Sequence, residues 1–392
     1  MVWKKVLPME ERIGFVLDVA RAQRSVSELC GLYGISRKTG YKWIRRYREE
    51  GLDGMAERSR RPVHCPHRTA AEWEDRIFFE RLKHPRWGPK KIRVVLGERG
   101  FSGPVPAAST IGNILGRGGF VKPRKRRRLR RSCSGESLTE AKRPNHVWAV
   151  DYKGWFRTGD GRRCDPLTVS DLYSRYVLGV KACPNQRYQW TKRTFEEVFR
   201  QYGLPEIIRS DNGSPFASTG AGGLASLSVW WILLGIKLEL IRPGRPEQNG
   251  IHERMHLTLK QEACQPPGAD RKAQQRRFDQ WRKEFNEQRP HEALGMKRPA
   301  QLYRPSVMRY DGRMTNPCYP AGHEVRRIYR NGEIKWCGRR RFIAHALRGL
   351  RVGIKRIDEG CSQVWFGSIL LGDLHDGDPG GLRPTVYVPQ GP

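Results

Sequence analysis

Three stretches of the 392-residue chain hold carboxylates in settings that suit chemistry. They are "VWAVDYKGWF" with Asp151, "IIRSDNGSPF" with Asp211, and "RPGRPEQNGIHERMHLTLKQE" with Glu247 and Glu253. Asp151 ends a predicted strand and Asp211 follows another, so each carboxylate has a fixed direction and access to solvent, as a hard divalent cation requires. A third carboxylate from a nearby helix would complete a site for two Mg2+ (or Mn2+) ions. One ion would activate the attacking oxygen of a phosphoryl transfer and the other would stabilise the leaving oxygen. Taken singly, either aspartate reads as an ordinary turn or cap residue.

The elements that must position these groups are legible from periodicity. From residue 144 the chain reads as three strands, a helix at 188–202, a strand at 206–210, a helix at 224–234, a strand at 237–241 and a helix from Ile251, an α/β layer with a mixed sheet. On the last helix Ile251, Met255 and Leu259 form the expected buried stripe, with Glu253, Leu257 and Lys260 opposite. His252 and His256 are expected on a solvated face, Trp230 and Trp231 in the core, and Asp165 and Asp171 in structural turns. The tail, residues 318–385, is strand-rich. Asn331-Gly332 between "VRRIYR" and "EIKW" predicts a hairpin, a second turn falls at Asp358-Glu359-Gly360, and together they predict a small C-terminal β-barrel.

The net charge of +34 is far from that of a typical metabolic enzyme and implies a polyanionic partner, nucleic acid before an anionic membrane. No apolar run reaches membrane-spanning length. The nine cysteines include no CxxC pair, and His64-Cys65-Pro66-His67 lacks a second ligand pair, so neither a disulfide framework nor a zinc site is indicated. No signal-peptide pattern is present, which predicts a cytoplasmic, nucleoid-associated protein with reduced thiols.

The basic residues are organised. Residues 1–60 read as three helices, the last capped by Ser36 and presenting Arg37, Lys38, Tyr41 and Lys42 outward, a helix-turn-helix whose third helix suits a major groove. Residues 68–121 read as a second such unit, with a helix starting at Trp87-Gly88-Pro89 and another near Ser109 or Thr110. Residues 122–142 form a basic linker; Lys122–Arg131 holds eight basic residues in ten, including Arg124, Lys125, Arg126 and Arg127, suited to lie along phosphates.

The three acidic stretches resemble the three acidic motifs of integrase-core insertion-sequence transposases, relatives of retroviral integrases. "RPHEALGMKRPAQLY", residues 289–303, resembles the segment that closes that core. The resemblance implies a ribonuclease-H-like core at 143–303, an Asp-Asp-Glu triad binding two divalent ions, and strand transfer of transposon ends into target DNA by a homo-oligomer. Asp151, Asp211 and Glu253 are the catalytic and metal-binding candidates. The family commonly leaves thirty-five residues between the last two acids, which favours Glu247, 36 positions after Asp211. Glu253 lies 42 positions after it. Local physics favours Glu253. Residues 242–250 are rich in Pro and Gly, whereas Glu253 sits in the first turn of a helix with Lys260 two turns on, able to meet phosphate. The Gly/Ser-rich "STGAGGLASLS", 218–228, supplies a source for the extra residues in a loop that tolerates insertion. The alternative reading is a non-catalytic DNA-binding regulator derived from a transposase. A ribonuclease of the same fold class is less suited, because a helix cannot enter the narrow major groove of A-form RNA.

Overall fold

The computed structural model describes residues 8–58, 69–121, 138–242 and 246–384. The chain divides into two units, residues 1–70 and 71–392. The stretch 64–67 and the arm residues Arg124, Lys125, Arg126 and Arg127 lie outside the described residues.

The first unit holds α1 (Pro8–Ala20), α2 (Val26–Leu32) and α3 (Arg37–Glu50). Ser25 and Glu28 form a reciprocal capping box on α2, and the Ser36 hydroxyl accepts from the Thr39 amide at the start of α3. Phe15, Val16, Leu29, Cys30, Trp43, Ile44 and Met55 make the core. Gly40 lets α3 cross its neighbours closely, because a Cβ there would fall 2.5 Å from the Cys30 sulfur. The expected outward face of α3 is exposed at Arg37, Lys38, Tyr41 and Lys42.

The second unit opens with α4 (Ala71–Lys83), α5 (Pro89–Glu98) and α6 (Ala108–Arg117) around Trp73, Ile77, Trp87, Ile92, Leu96, Ile111, Ile114 and Leu115. Pro89 takes the first position of α5, where its missing N–H is no loss. Helix α6 starts at Ala108, and neither Ser109 nor Thr110 caps it.

A six-stranded sheet follows, built from β1 (Val147–Tyr152), β2 (Phe156–Arg157), β3 (Arg163–Asp171), β4 (Val177–Cys183), β5 (Ile207–Ser210) and β6 (Lys237–Leu240). Strand β3 is antiparallel to β1, β2 and β4, while β1, β5 and β6 run parallel, the five-strand order β4-β3-β1-β5-β6 of a ribonuclease-H-like core. One face carries α7 (Tyr188–Tyr202) and α8 (Ser226–Leu233) on Leu167, Val169, Phe195, Phe199, Trp230 and Trp231. The other carries α9 (Gly250–Ala263) and α10 (Arg271–Glu287) on Cys164, Val180, Met255, Leu259 and Phe278. The helical segment 71–121 is tied to this core: His84 Nδ1 lies 2.9 Å from Glu284 Oε1, Lys90 pairs with Glu292 at 2.9 Å, and Arg298 pairs with Glu98.

The tail differs from the expected barrel. Strands β7 (Glu324–Arg327), β10 (Arg351–Asp358), β11 (Cys361–Phe366), β12 (Ile369–His375) and β13 (Arg383–Pro384) form an open antiparallel sheet, and β8 (Glu333–Trp336) with β9 (Arg339–Phe342) forms a separate ribbon. The turn at Asn331-Gly332 is made, with Gly332 at φ 86, but β7 pairs with β10 instead of continuing a ladder with β8. The turn at Gly360 joins β10 to β11 as expected. No strand pairing closes the sheet among the described residues. Its apolar face is covered by the core instead: Leu371, Leu374, Val352 and Phe366 belong to the same buried cluster as Trp148, Leu227 and Trp231. The Gly/Ser-rich stretch is part of that seam. Ala221–Gly223 form a short 3-10 turn, and a Cβ on Gly222, at φ 63, would fall 3.0 Å from Leu371 Cδ2.

Candidate active site

Alternation along β1 turns Trp148 and Val150 toward α7 and α8 and Asp151 toward α9. Opposite Asp151 in the ladder stands Thr168 of β3. Asp211 follows β5 directly, and its Oδ1 accepts from the Gly213 amide at 3.2 Å. Glu253 lies in the first turn of α9 and is exposed. Burial, then the negative charge of Asp211 and, more weakly, that of Glu253 push the Asp151 carboxyl up to about 7, against the opposing pull of the Tyr152 amide and Lys153. Burial also raises Asp211, with the Gly213 amide opposing. The carboxylates of Asp211 and Glu253 therefore both lie within electrostatic reach of Asp151. They do not close into a ligand shell: among the described residues no group of three or more His, Cys, Asp and Glu side chains is drawn together tightly enough to hold a metal.

Beneath Asp151 lies a polar network that the sequence reading missed. His252 and His256, expected on a solvated face, are buried, and Ile251, expected in the buried stripe, is 45% exposed. The inward stripe of α9 is His252, Met255, His256 and Leu259. Strand alternation places Thr168 and Ser170 against the imidazoles. The Thr168 hydroxyl lies 2.7 Å from His252 Nε2, 2.6 Å from His256 Nε2 and 3.0 Å from the Asp151 carbonyl oxygen; Ser170 Oγ lies 2.8 Å from His252 Nδ1. Hydrogen counting assigns the tautomers. Thr168 has one proton, which goes to the Asp151 carbonyl, so both Nε2 atoms donate to the threonine oxygen and Ser170 donates to His252 Nδ1. Both rings are then neutral, as burial dictates, holding His252 down to about 3 and His256 to about 2. The 3.7 Å approach of His256 Nδ1 to Asp151 Oδ2 is accordingly not an ion pair. The legible signal was His at i and i+4 on the same helical face as Met255 and Leu259, opposite Thr and Ser at i and i+2 of a strand.

At its far end α9 is pinned by Glu262, which accepts from Trp281 Nε1 at 2.9 Å and Arg289 Nη1 at 2.8 Å. Lys260 is exposed two turns after Glu253. Pro246–Asn249 form a single 3-10 turn before α9, and the Glu247 side chain lies outside the described residues. Asp165 is buried and held by Arg163 and Gln186; it sits within β3 rather than in the expected turn. Asp171 accepts from the Asn145 and Ser174 amides and so organises the turn after β3.

Residues 141–246 and 234–299 each match an integrase core domain family, residues 11–62 a helix-turn-helix domain family, and residues 39–115 a homeodomain-like domain family. The chain is 28% identical to the 31.7 kDa protein of insertion element IS407 of Burkholderia multivorans, over 47% of this chain and 64% of that protein. It is also 28% identical to the 39.2 kDa protein of insertion element IS476 of Xanthomonas euvesicatoria, over 46% of this chain and 51% of that one. These matches span little more than half of the relatives' own length. Among solved structures it is similar to the HTLV-2 integrase catalytic core domain in complex with magnesium, at 17% identity and a TM-score of 0.34, over 42% of this chain and all of that one. No helix among the described residues is long and apolar enough to cross a membrane.

Proposed function

We propose that this chain, which carries an integrase core behind helix-turn-helix units and is related to insertion-element proteins, is a DNA transposase. On this reading it binds transposon ends, cleaves a strand there and joins the freed 3′-hydroxyl to target DNA. What supports the proposal is the match of residues 141–246 and 234–299 to an integrase core domain family, with Asp151 at the end of β1, Asp211 at the exit of β5 and Glu253 in the first turn of α9.

The donor chemistry suits a hard divalent ion: three carboxylates with two of them acting electrostatically on the third gain from a cation among them, though they would have to draw closer than they stand here to hold it. A pair of Mg2+ or Mn2+ ions, when bound, supplies Lewis-acid stabilisation of the attacking and leaving oxygens. Asp151, Asp211 and Glu253 would hold them. His252 and His256 seat α9 on β3 and so fix the approach of Glu253, while Lys260 meets phosphate beside it. Arg37, Lys38, Tyr41 and Lys42 read an end sequence in the major groove, and Arg124, Lys125, Arg126 and Arg127 track the backbone. The segments of this reading are 1–60 and 68–121 for recognition, 122–142 as the arm, 143–303 for chemistry and 318–385 as a buttress. The chain would work as a homo-oligomer on double-stranded DNA in the bacterial nucleoid.

The test is cleavage of end-labelled duplex taken from either side of the gene, with Mg2+ or Mn2+. Asp151→Asn, Asp211→Asn and Glu253→Gln should bind this DNA and fail to cut it. A wild type that binds but never cuts with either ion would replace the transposase by a DNA-binding regulator.

A further inference from the structure

A cleft of about 880 Å3 opens between the helical segment 71–121 and the α9–α10 pair, at the end of α9 remote from Glu253. Lys83, Arg86, Arg276 and Arg277 line it, and none of the four forms an ion pair among the described residues. The two acids in the wall are committed inward: Glu262 to Arg289 and Trp281, and Glu284 to His84. The aromatic rings of the lining are covered. His84 stacks on Trp87 at 3.7 Å and 6°, and Trp87 and Trp281 are buried, so no open ring face is offered to a base. Four free cations beside covered rings suit a phosphate backbone rather than base readout. A second copy of a chain carrying +34 is a poor source of the anion.

We propose that this cleft is a phosphate-backbone site for duplex DNA, seated between α4–α5 on one side and α10 on the other. Its placement relative to the chemistry rests on the transposase reading. Nine residues of α9 separate Glu253 from Glu262 at the cleft, about 14 Å at the helical rise. That length corresponds to about four base pairs of duplex at 3.4 Å each. For a duplex running along α9, the cleft grips the end about four base pairs from the bond that is cut.

The experiment uses the full-length chain, a random-sequence duplex and EDTA, so that no cleavage intervenes. Arg276→Gln/Arg277→Gln, and separately Lys83→Gln/Arg86→Gln, should fold as the wild type by circular dichroism. Each should flatten the plot of log affinity against log salt by about 1.8, for two lost contacts at about 0.9 each. Ethylation interference on the flanking-DNA fragment should lose its signal about four base pairs from the cut in both variants. An unaltered salt slope overturns the site. A flattened slope with the interference pattern unchanged overturns its placement. Loss of self-association at constant slope would assign the cleft to a second copy and also overturn it. If the wild type does not cleave with metal, the transposase reading fails while the slope still decides the cleft.

Discussion

Thr168 Oγ1 lies 2.6 Å from His256 Nε2, and the same oxygen takes His252 at 2.7 Å while donating to the Asp151 backbone carbonyl. One hydroxyl thus ties α9, which carries Glu253, to β1, which carries Asp151. Thr168→Val keeps the shape and leaves two buried imidazole N–H groups without an acceptor. At about 1–3 kcal/mol for each of the two unsatisfied groups, the expected loss is about 2–6 kcal/mol in urea unfolding, with Thr168→Ser recovering most of it. A change below about 0.5 kcal/mol would show that water replaces the hydroxyl and that the knot is not structural.

Asp151 is held up to about 7 chiefly by burial and by the charge of Asp211. An acid whose folded pKa is raised above its usual 3.8 loses stability as pH rises from about 4 through 7, and the deficit is complete at pH 8. Asp151→Asn removes the charge at nearly constant volume. In metal-free buffer at pH 8 it should raise stability, on the order of 1–2 kcal/mol once water at this quarter-exposed side chain is allowed for. Adding Mg2+ should then stabilise the wild type and leave Asp151→Asn unmoved. Melting curves with and without the ion decide this, and equal shifts in both proteins would sink the assignment.

Glu247→Gln should cleave at the wild-type rate within a factor of about three, since its turn lies ahead of α9 in a Pro/Gly-rich segment. On the proposed reading Glu253→Gln should lose cleavage by a factor of at least about a hundred, because it removes one of the carboxylates that would hold the metal. The reverse result in single-turnover assays would make interval counting the better guide and our choice of Glu253 wrong.

The tail is predicted to melt with the core. Leu371 is fully buried beside Gly222, so Leu371→Ala should cost about 2–5 kcal/mol in the unfolding of residues 71–392, as a single transition. Removing 318–385 should leave a core that aggregates, because the buried cluster running from Trp148 to Leu374 would be cut through. A truncated chain that melts cooperatively and unchanged would restore the tail as an independent module.

Local order in this protein was written into the sequence. Ser36 capping α3, Pro89 opening α5, and the 188–202 helix follow from capping and periodicity, which involve neighbours along the chain. Asp151 and Asp211 were legible for the same reason, being strand-end carboxylates with recognisable flanks. Tertiary structure alone decided which face of α9 is buried. Ile251 and His252 are adjacent, and apolarity favours burying Ile251, but Thr168 and Ser170 arrive from residues more than eighty positions earlier and satisfy the imidazoles, so the histidine goes in. The open tail sheet has the same origin. Its alternating apolar residues specify that one face must be covered, but they cannot specify by what, and the partner surface at Gly222 and Leu227 lies about a hundred and fifty residues away.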